Sequence, residues 1–213
     1  SSNKVVLFRT NKLVDVLVQA AGGAGDAVIK ARALSALSNL VHRVRENQLA
    51  LFRRAGFVEL LVDASCDASL GVNVEALGVL ANLLDAAENR DAALKNGRLF
   101  NAVLNAAENG ETDEIKRRAW LSLAQLAAGP LVDVVQRLDE AKWVDVLKRT
   151  LVTGETAAVK DLSARTLSEL VASMGLPPTL VLGPSGLLNV LVWAVEHPKS
   201  SNELRWWVFR TLA

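Results

Sequence analysis

Apolar residues in this chain recur with the three- and four-residue spacing of an amphipathic helix. In the stretch KARALSALSNLV, the residues Ala33, Leu37 and Leu40 hold positions i, i+4 and i+7. Positions with this spacing share one face of a helix. The stretch therefore predicts a helix with one buried apolar face, and the polar Ser35 and Asn39 are expected on the opposite face.

The same pattern returns along the whole chain at intervals of 42–44 residues. The further copies are VEALGVLANLL, RRAWLSLAQLA, DLSARTLSELV and LRWWVFRTLA. One apolar column consists of Leu37, Leu80, Leu123, Leu167 and Phe209. A second column, three residues later, consists of Leu40, Leu83, Leu126, Leu170 and Leu212. A small residue precedes the first column by four positions at Ala33, Ala76, Ala119 and Ser163. These columns predict a core that neighbouring helices share.

Two shorter helices are predicted between successive copies. ENQLALFRRAG and FVELLVDAS form one pair, with a turn at Gly56, and ENRDAALKNG and RLFNAVLNAA form the next, with a turn at Gly97. Glycine after a helix suits the left-handed conformation of a C-terminal cap. Pro177 and Pro178 are expected to shorten a helix in a later pair. Near the front, AGGAGDA is interpreted as a linker in which Asp26 caps the next helix.

The period and the helix pattern resemble those of one repeat family. Three helices per 42–44 residues is the period of armadillo and HEAT arrays, whereas tetratricopeptide arrays have a period of about 34. The segments FRRAGFVELLVDAS and ALSALSNLV resemble the armadillo repeat, with its glycine turn, apolar second helix and long third helix. The resemblance implies an all-α fold, a right-handed superhelical armadillo-type α-solenoid of about five three-helix repeats. Each repeat is too small to bury its own apolar face, so stacking supplies the core.

The chain is interpreted as a single armadillo-like array over residues 1–213. The repeats are expected at about 1–45, 46–87, 88–130, 131–174 and 175–213. Arrays of this kind normally end in polar capping helices. Because the ending RWWVFRTLA is strongly apolar, we expect either that the chain is an excerpt of a longer one or that this end meets another protein or domain.

Composition is typical of a folded protein and excludes several classes of partner. Apolar residues make up 51% of the chain, and the formal net charge is +1, which gives no support for nucleic acid as a partner. No apolar run approaches the roughly 20 residues of a membrane-spanning helix, so membrane insertion is not expected. The single Cys66 excludes an internal disulfide, and charges interrupt the apolar residues at the N-terminus, unlike in a signal peptide. The cytoplasm is the expected compartment, with an organelle lumen as the alternative.

Residues with catalytic or metal-binding chemistry are sparse. His42 and His197 lie far apart, and neither has neighbours at the spacing of metal ligands. His42 is expected at the C-terminal end of its helix. The glycine-rich AGGAGDA lacks the spacing of a phosphate-binding loop, and Glu111, Asp113 and Glu114 are interpreted as a solvated helix start. We therefore expect no enzymatic activity, no cofactor and no metal.

Binding is expected on the third helices, which line a concave groove in armadillo arrays. The family's peptide binders place a Trp there and, four residues later, an Asn whose amide both donates to and accepts from a peptide backbone. The Asn column reads Asn39, Asn82, Gln125, Glu169 and Thr211. The Trp column reads Ser35, Gly78, Leu121, Arg165 and Trp207. Since only Trp207 matches the Trp column, a groove for basic nuclear-signal peptides is not expected. Helix capping or interhelical hydrogen bonding is the alternative role for Asn39 and Asn82.

The stretch from Ser2 to Asn96 also resembles one armadillo branch, the nucleotide-exchange factors of DnaK-type chaperones. SNKVVLFRTNKLVDVLVQA is similar to their helix pair before the core repeat, and IKARALSALSNLVHRVRENQLALFRRAGFVELL resembles their central repeat. The resemblance implies that the array wraps one lobe of the chaperone's ATPase domain, pulls the lobes apart and releases ADP. It places Asn39, Arg43 and Asn82 near that face.

Adjacent tryptophans near the end of the chain suggest a second contact. Trp206 and Trp207 point about 100° apart on a helix, so they cannot both hold the same core position. Tryptophan is a frequent anchor of protein interfaces, and one of the two is therefore a candidate for an exposed contact.

These observations leave three non-enzymatic functions open. They are a scaffold or assembly subunit, an exchange factor that binds a chaperone ATPase domain, and a receptor for an extended peptide. The candidate partner-binding residues on the concave surface are Ser35, Asn39, Arg43, Asn82, Gln125 and Glu169, with Trp206 and Trp207 as a terminal contact.

Overall fold

The computed structural model describes twelve α-helices and, in the residues it covers, no strand. The described residues are 2–10, 12–128, 143–153, 156–174, 191–192, 195–196 and 201–212. Helices of the first part are α1 (Ser2–Arg9), α2 (Leu13–Gly22), α3 (Ala27–Val41), α4 (Arg45–Phe52), α5 (Phe57–Ala64), α6 (Leu70–Leu83), α7 (Ala87–Lys95), α8 (Gly97–Asn109) and α9 (Asp113–Ala127). Those of the second part are α10 (Trp143–Thr153), α11 (Ala157–Met174) and α12 (Asn202–Leu212). The predictions for His197 and for Pro177 and Pro178 lie outside the described residues.

The chain forms two compact units, residues 1–122 and 123–213. In the N-terminal unit, two short helices precede each long one, so that α3, α6 and α9 are the third helices of successive repeats. Within this unit α3 packs against α2 and α6, and α5 packs against α6 and α8. In the C-terminal unit α11 packs against α10 and α12. None of the described helices is long and apolar enough to cross a membrane.

The predicted core columns are buried in the first four copies. Buried members are Ala33, Leu37, Leu40, Ala76, Leu80, Leu83, Ala119, Leu123, Leu126, Ser163 and Leu167. The side chains of Leu170 and Leu212 lie outside the described set. Apolar periodicity therefore identified the buried face of α3, α6, α9 and α11 correctly.

The predicted register of the last copy is wrong by one residue. Phe209, which the alignment placed in the core, is 59% exposed, whereas Leu204, Val208 and Thr211 are buried. These three residues hold positions i, i+4 and i+7 of α12, the arrangement of the other core columns. The Trp column therefore contains Trp206 rather than Trp207, and the Asn column contains Arg210 rather than Thr211.

Local signals at the helix ends are confirmed in part. The Asp26 carboxylate accepts a hydrogen bond from Val28 N at 2.8 Å and caps α3, as the sequence predicts. Gly56 has the expected left-handed backbone, with φ of 73°. The left-handed turn expected at Gly97 is wrong, because Gly97 is the first residue of α8. Asn96, directly before it, has an extended backbone with φ of −92° and caps α8, because its side chain accepts a hydrogen bond from Leu99 N at 3.1 Å.

Lys12 adopts a left-handed backbone in the place that Gly56 takes one repeat later. Each residue directly precedes the second helix of its repeat, and φ is 82° at Lys12 and 73° at Gly56. A non-glycine residue in this region carries a backbone cost of roughly 1 kcal/mol. We expect Lys12→Gly to raise the free energy of unfolding by up to about 1 kcal/mol, measured by urea denaturation. The reciprocal Gly56→Lys should lower it by a similar amount, since a Cβ there meets nothing within 4 Å. Equal stability of all three proteins would contradict this account.

Two buried asparagines tie the repeats of the N-terminal unit together. Asn47 Nδ2 donates to Leu40 O at 2.8 Å and to Lys4 O at 3.3 Å. Asn89 Nδ2 donates in the same way to Leu83 O at 2.8 Å and to Gln48 O at 3.2 Å. The acceptors are backbone carbonyls at the end of the preceding third helix and in the preceding first helix. These bonds fix how each first helix meets the repeat before it.

A glutamate precedes each of these asparagines and pairs with an arginine on the first helix of the preceding repeat. Glu46 pairs with Arg9, and Glu88 pairs with Arg45. The Glu-Asn dipeptide is visible at the start of both ENQLALFRRAG and ENRDAALKNG. It is the signature of this contact, which the apolar columns do not reveal.

Among the four copies whose residues are described, one core column is exposed in the first only. Val72, Ile115 and Val159 are each at most 1% exposed, and each is the third residue of its helix. Ile29 holds the same position in α3 but is 56% exposed. The same helical position is therefore buried in these three helices and open in α3.

Candidate protein-binding surface

The face of α3 opposite the core carries the polar residues Arg32, Ser35 and Asn39, and Arg43 follows at the end of the helix. We name these four residues the α3 stripe. Arg32, Asn39 and Arg43 are exposed and Ser35 is half-buried. Arg32, Ser35 and Asn39 lie on α3, and Arg43 follows its C-terminal cap, His42. Ser35 and Asn39 thus face away from the core, as their helical position predicts, and His42 lies at the helix end as expected.

The N-terminal part of the α3 stripe borders a depression of about 300 Å³ between α3 and α6. Its lining includes Val28, Arg32 and Ser35 of α3 and Glu75 of α6. Val28 is one of the exposed large apolar side chains of the unit. The surface therefore combines a shallow apolar contact with charged and hydroxyl groups.

Asn82, the second member of the predicted Asn column, is engaged within the fold. Its Nδ2 donates to Ser38 Oγ at 2.8 Å and to Ser38 O at 3.3 Å. Its Oδ1 lies 3.2 Å from His42 Nδ1. Both ends of the amide are used, so this residue has the interhelical role that was the alternative to ligand contact. The bonds hold the end of α3 against α6.

Arg118 fills the place that a tryptophan takes in peptide-binding repeats. A Cβ added at Gly78 would overlap Arg118 Nη1 and lie 3.1 Å from Cζ. Arg118 Nε donates to Glu114 Oε1 at 2.6 Å, and its Nη1 lies 4.0 Å from Glu75 Oε2. Gly78 therefore makes room for the guanidinium, and the two carboxylates hold it over α6.

The charges around Arg118 stabilise one another. Hydrogen bonds from Arg117, and further ones from Arg118, lower the pKa of Glu114 to about 2. The same contact raises the pKa of Arg117. Glu114 is thus ionised throughout the neutral range, and it is part of a charge cluster rather than a general acid or base.

The remaining predicted residues lie in the C-terminal unit. Gln125 is buried, so its side chain is not open for contact. Glu169 is half-buried, and its Oε1 accepts from Arg210 Nη1 at 3.2 Å. With the corrected register, Glu169 and Arg210 are successive members of the Asn column and pair with each other.

Trp206 is the exposed member of the tryptophan pair. It is 54% exposed, whereas Trp207 is half-buried. Their rings meet edge to face with centroids 4.5 Å apart. The Arg210 guanidinium lies 5.7 Å from the Trp206 ring centre and 5.2 Å from that of Trp207, and Arg165 lies 5.7 Å from Trp207. Contacts of this length are cation–π interactions, which keep Trp206 in place at the surface.

Within the part of the chain that the structure describes, no group of three or more His, Cys, Asp or Glu residues could hold a metal ion. The surface features found are hydrogen-bonding groups, paired and unpaired charges, and one exposed tryptophan. Such an arrangement can bind another molecule by complementary contacts.

Comparison with known proteins establishes the fold. No family model matches the chain, and no curated protein matches it. Among solved structures, a designed armadillo repeat protein is similar with a TM-score of 0.80 and 21% identity over 93% of this chain and 80% of that one. Another, in complex with the peptide (KR)4, has a TM-score of 0.85 and 21% identity over 99% of this chain and 84% of that one. Computationally designed armadillo repeat proteins for modular peptide recognition match with a TM-score of 0.79 and 21% identity, over 93% and 80% of the two chains.

The fold is therefore that of the armadillo-repeat proteins, an all-α solenoid of three-helix repeats. This confirms the fold class expected from the 42–44-residue period. Proteins with this fold are typical scaffolds for binding proteins or peptides. The finer resemblance to chaperone exchange factors is not addressed by these structures and stays a prediction.

Proposed function

We propose that this protein is a non-enzymatic scaffold that binds a segment of another protein on its third helices, centred on the α3 stripe. The observation that carries the proposal is the division of α3 into two faces. Ala33, Leu37 and Leu40 are buried, whereas the stripe on the opposite face presents a hydroxyl, an amide and two guanidinium groups. A rigid helix with such groups on its open face is suited to protein recognition.

Asn39 is the part of the stripe best suited to hold a backbone. Among the described residues its side chain forms no hydrogen bond, and it is exposed. An amide in this state can donate to and accept from one peptide group of a partner. Because Asn82 is engaged and Gln125 is buried, the contacts favour binding at the α3 stripe over a continuous Asn ladder.

The proposal is tested by selecting a displayed library of random peptides for binding to the protein. We expect the combined change Ser35→Ala with Asn39→Ala to weaken binding of the selected peptides by at least about fivefold, because each lost hydrogen bond is worth about 0.5–1.5 kcal/mol. Affinity is measured by fluorescence anisotropy with labelled peptides. The control is Asn101→Ala, which removes an exposed amide from α8.

Two outcomes would reject the proposal. One is that no sequence is enriched over a selection without protein. The other is that the double variant binds the enriched peptides as well as the unchanged protein and the Asn101→Ala control do.

A DnaK-type chaperone ATPase domain is the second candidate partner. The residues Asn39 and Arg43, which the resemblance places near the chaperone, are both exposed and without a partner among the described residues. The rate of ADP release from such a domain, with and without this protein, separates an exchange factor from a general scaffold.

A further inference from the structure

The α3 stripe carries two arginines whose charge is not compensated within the described residues. Neither Arg32 nor Arg43 forms an ion pair or a side-chain hydrogen bond there, and both are exposed. Most other arginines of the N-terminal unit do have a carboxylate partner: Arg9, Arg45, Arg54, Arg98, Arg117 and Arg118. Arg53 and Arg90 also lack a carboxylate partner among the described residues, but Arg90 donates to the carbonyls of Leu84 and Asp85. Arg53 lies at the end of α4, so Arg32 and Arg43 are the uncompensated pair that borders the polar face of α3.

Carboxylates on neighbouring third helices are already paired with other cations. Glu75 and Glu114 both face Arg118, and Glu114 also pairs with Arg117. Asp67, before α6, lies 3.6 Å from Lys30 Nζ. The charge cluster around Arg118 is therefore close to neutral, and the positive charge of the α3 stripe is left to attract an anion from outside.

The backbone at Arg43 determines where this side chain leaves the helix. Its φ is 58°, and besides Lys12 it is the one non-glycine residue with positive φ in the described chain. A left-handed residue directly after the C-terminal cap, here His42, is a common way for a helix to end. The Arg43 guanidinium is thus placed at the end of α3, where it forms no ion pair or hydrogen bond among the described residues.

We propose that the α3 stripe binds an acidic segment of a partner protein, with Arg32 and Arg43 each taking a carboxylate. This rests on the proposed scaffold function and names the chemistry of its partner. Arg32 lies about 14 Å along the helix axis from Val41, the last residue of α3, and Arg43 lies two residues beyond that end. An extended segment covers that distance with about five residues. Ser35 and Asn39 lie between the arginines and hydrogen-bond the segment's backbone.

A polypeptide fits this surface better than a nucleic acid does. The formal net charge of the whole chain is only +1, and the stripe has no aromatic ring on which a base could stack. An extended peptide needs hydrogen-bond partners between its charges, and Ser35 and Asn39 provide them. Nucleic acid binding is retained as an outcome of the test.

The test compares three labelled peptides of equal length, (Glu-Ser)6, (Gln-Ser)6 and (Lys-Ser)6, by fluorescence anisotropy at low salt. The acidic peptide should bind, and the other two should bind at least about tenfold more weakly. Its affinity should fall as salt is raised, because exposed charges are screened. The combined change Arg32→Glu with Arg43→Glu should weaken binding of the acidic peptide by about tenfold or more.

A charge-matched variant separates the stripe from the charge of the whole protein. Arg53 is exposed at the C-terminal end of α4. Arg53→Glu combined with Lys95→Glu on α7 changes the net charge by the same amount as the stripe variant and should leave affinity within about twofold. An equal loss of affinity for the acidic peptide in both double variants would overturn the proposal. Equal binding of (Glu-Ser)6 and (Gln-Ser)6, or no binding of either, would also overturn it. So would a single-stranded oligonucleotide that binds more tightly than the acidic peptide.

The result also distinguishes failure of this inference from failure of the scaffold function. If library selection yields peptides that depend on Ser35 and Asn39 but are not acidic, the function stands and the acidic partner is rejected. If selection yields no peptides, both are rejected.

Discussion

Replacing Asn89 with aspartate is expected to lower the free energy of unfolding of the N-terminal unit by about 2–4 kcal/mol. The side chain is 2% exposed and donates from one nitrogen to two backbone carbonyls. A carboxylate of the same size has no proton to donate, so it would place negative charge beside two carbonyl oxygens in a buried site. An unpaired buried polar or charged group costs several times more than an ordinary hydrogen bond contributes. Urea denaturation followed by circular dichroism measures the change.

Asn39→Asp is the matched control for this change. It makes the same chemical replacement on the exposed stripe of α3, and we expect a shift within about 0.5 kcal/mol. The difference in free energy of unfolding between Asn89→Asp and the unchanged protein should also become smaller at acid pH. A protonated carboxyl can donate one of the two hydrogen bonds. Equal stability of Asn89→Asp and Asn39→Asp would mean that the buried contacts do not hold the repeats together.

Val72→Asp is expected to be the most damaging single change that we consider, with a loss above about 4 kcal/mol. Val72 is completely buried, and a carboxylate there would be desolvated without a partner. Ile29→Asp makes the matching change at the third position of the equivalent helix, where the side chain is 56% exposed. We expect its stability to stay within about 0.5 kcal/mol of the starting protein.

This pair of variants separates burial from helix effects. Both introduced carboxylates would lie at the third residue of a helix, where a negative charge interacts favourably with the helix dipole. The difference between the two variants therefore reports the burial of the Val72 position. Thermal or urea unfolding measures it, and similar losses in both variants would show that Ile29 is covered in solution.

Much of the fold was predictable because the apolar positions repeat with little variation. Leu37, Leu80, Leu123 and Leu167 recur at the same place in each copy, and another leucine follows each of them three residues later, so their helical faces are unambiguous. The last helix lacked that regularity. In RWWVFRTLA four large apolar residues are consecutive, so two neighbouring registers each place apolar residues at two of the three core positions. These are Leu204 and Val208 in one register, and Phe209 and Leu212 in the other. Packing in the structure selects Val208 and leaves Phe209 exposed.

The polar half of the candidate site was less predictable, because its contacts depend on how helices cross. The sequence placed Asn39 and Asn82 in one column and could not tell that only Asn82 bonds to Ser38 and His42. Neither could it show that the gap at Gly78 is filled by Arg118 from the next third helix. A side chain of that length reaches several positions, and only the packed helices decide which one it takes.

The bonds of Asn47 and Asn89 also bear on how such a chain can change over generations. Each asparagine binds carbonyl oxygens of the preceding repeat, and every residue type supplies a carbonyl. The side chains around these acceptors can therefore mutate without loss of the contact, and a duplicated or exchanged repeat would find its acceptors already present. A gene built from such repeats can lengthen, shorten and diversify its outer surface while the joint between repeats is inherited unchanged.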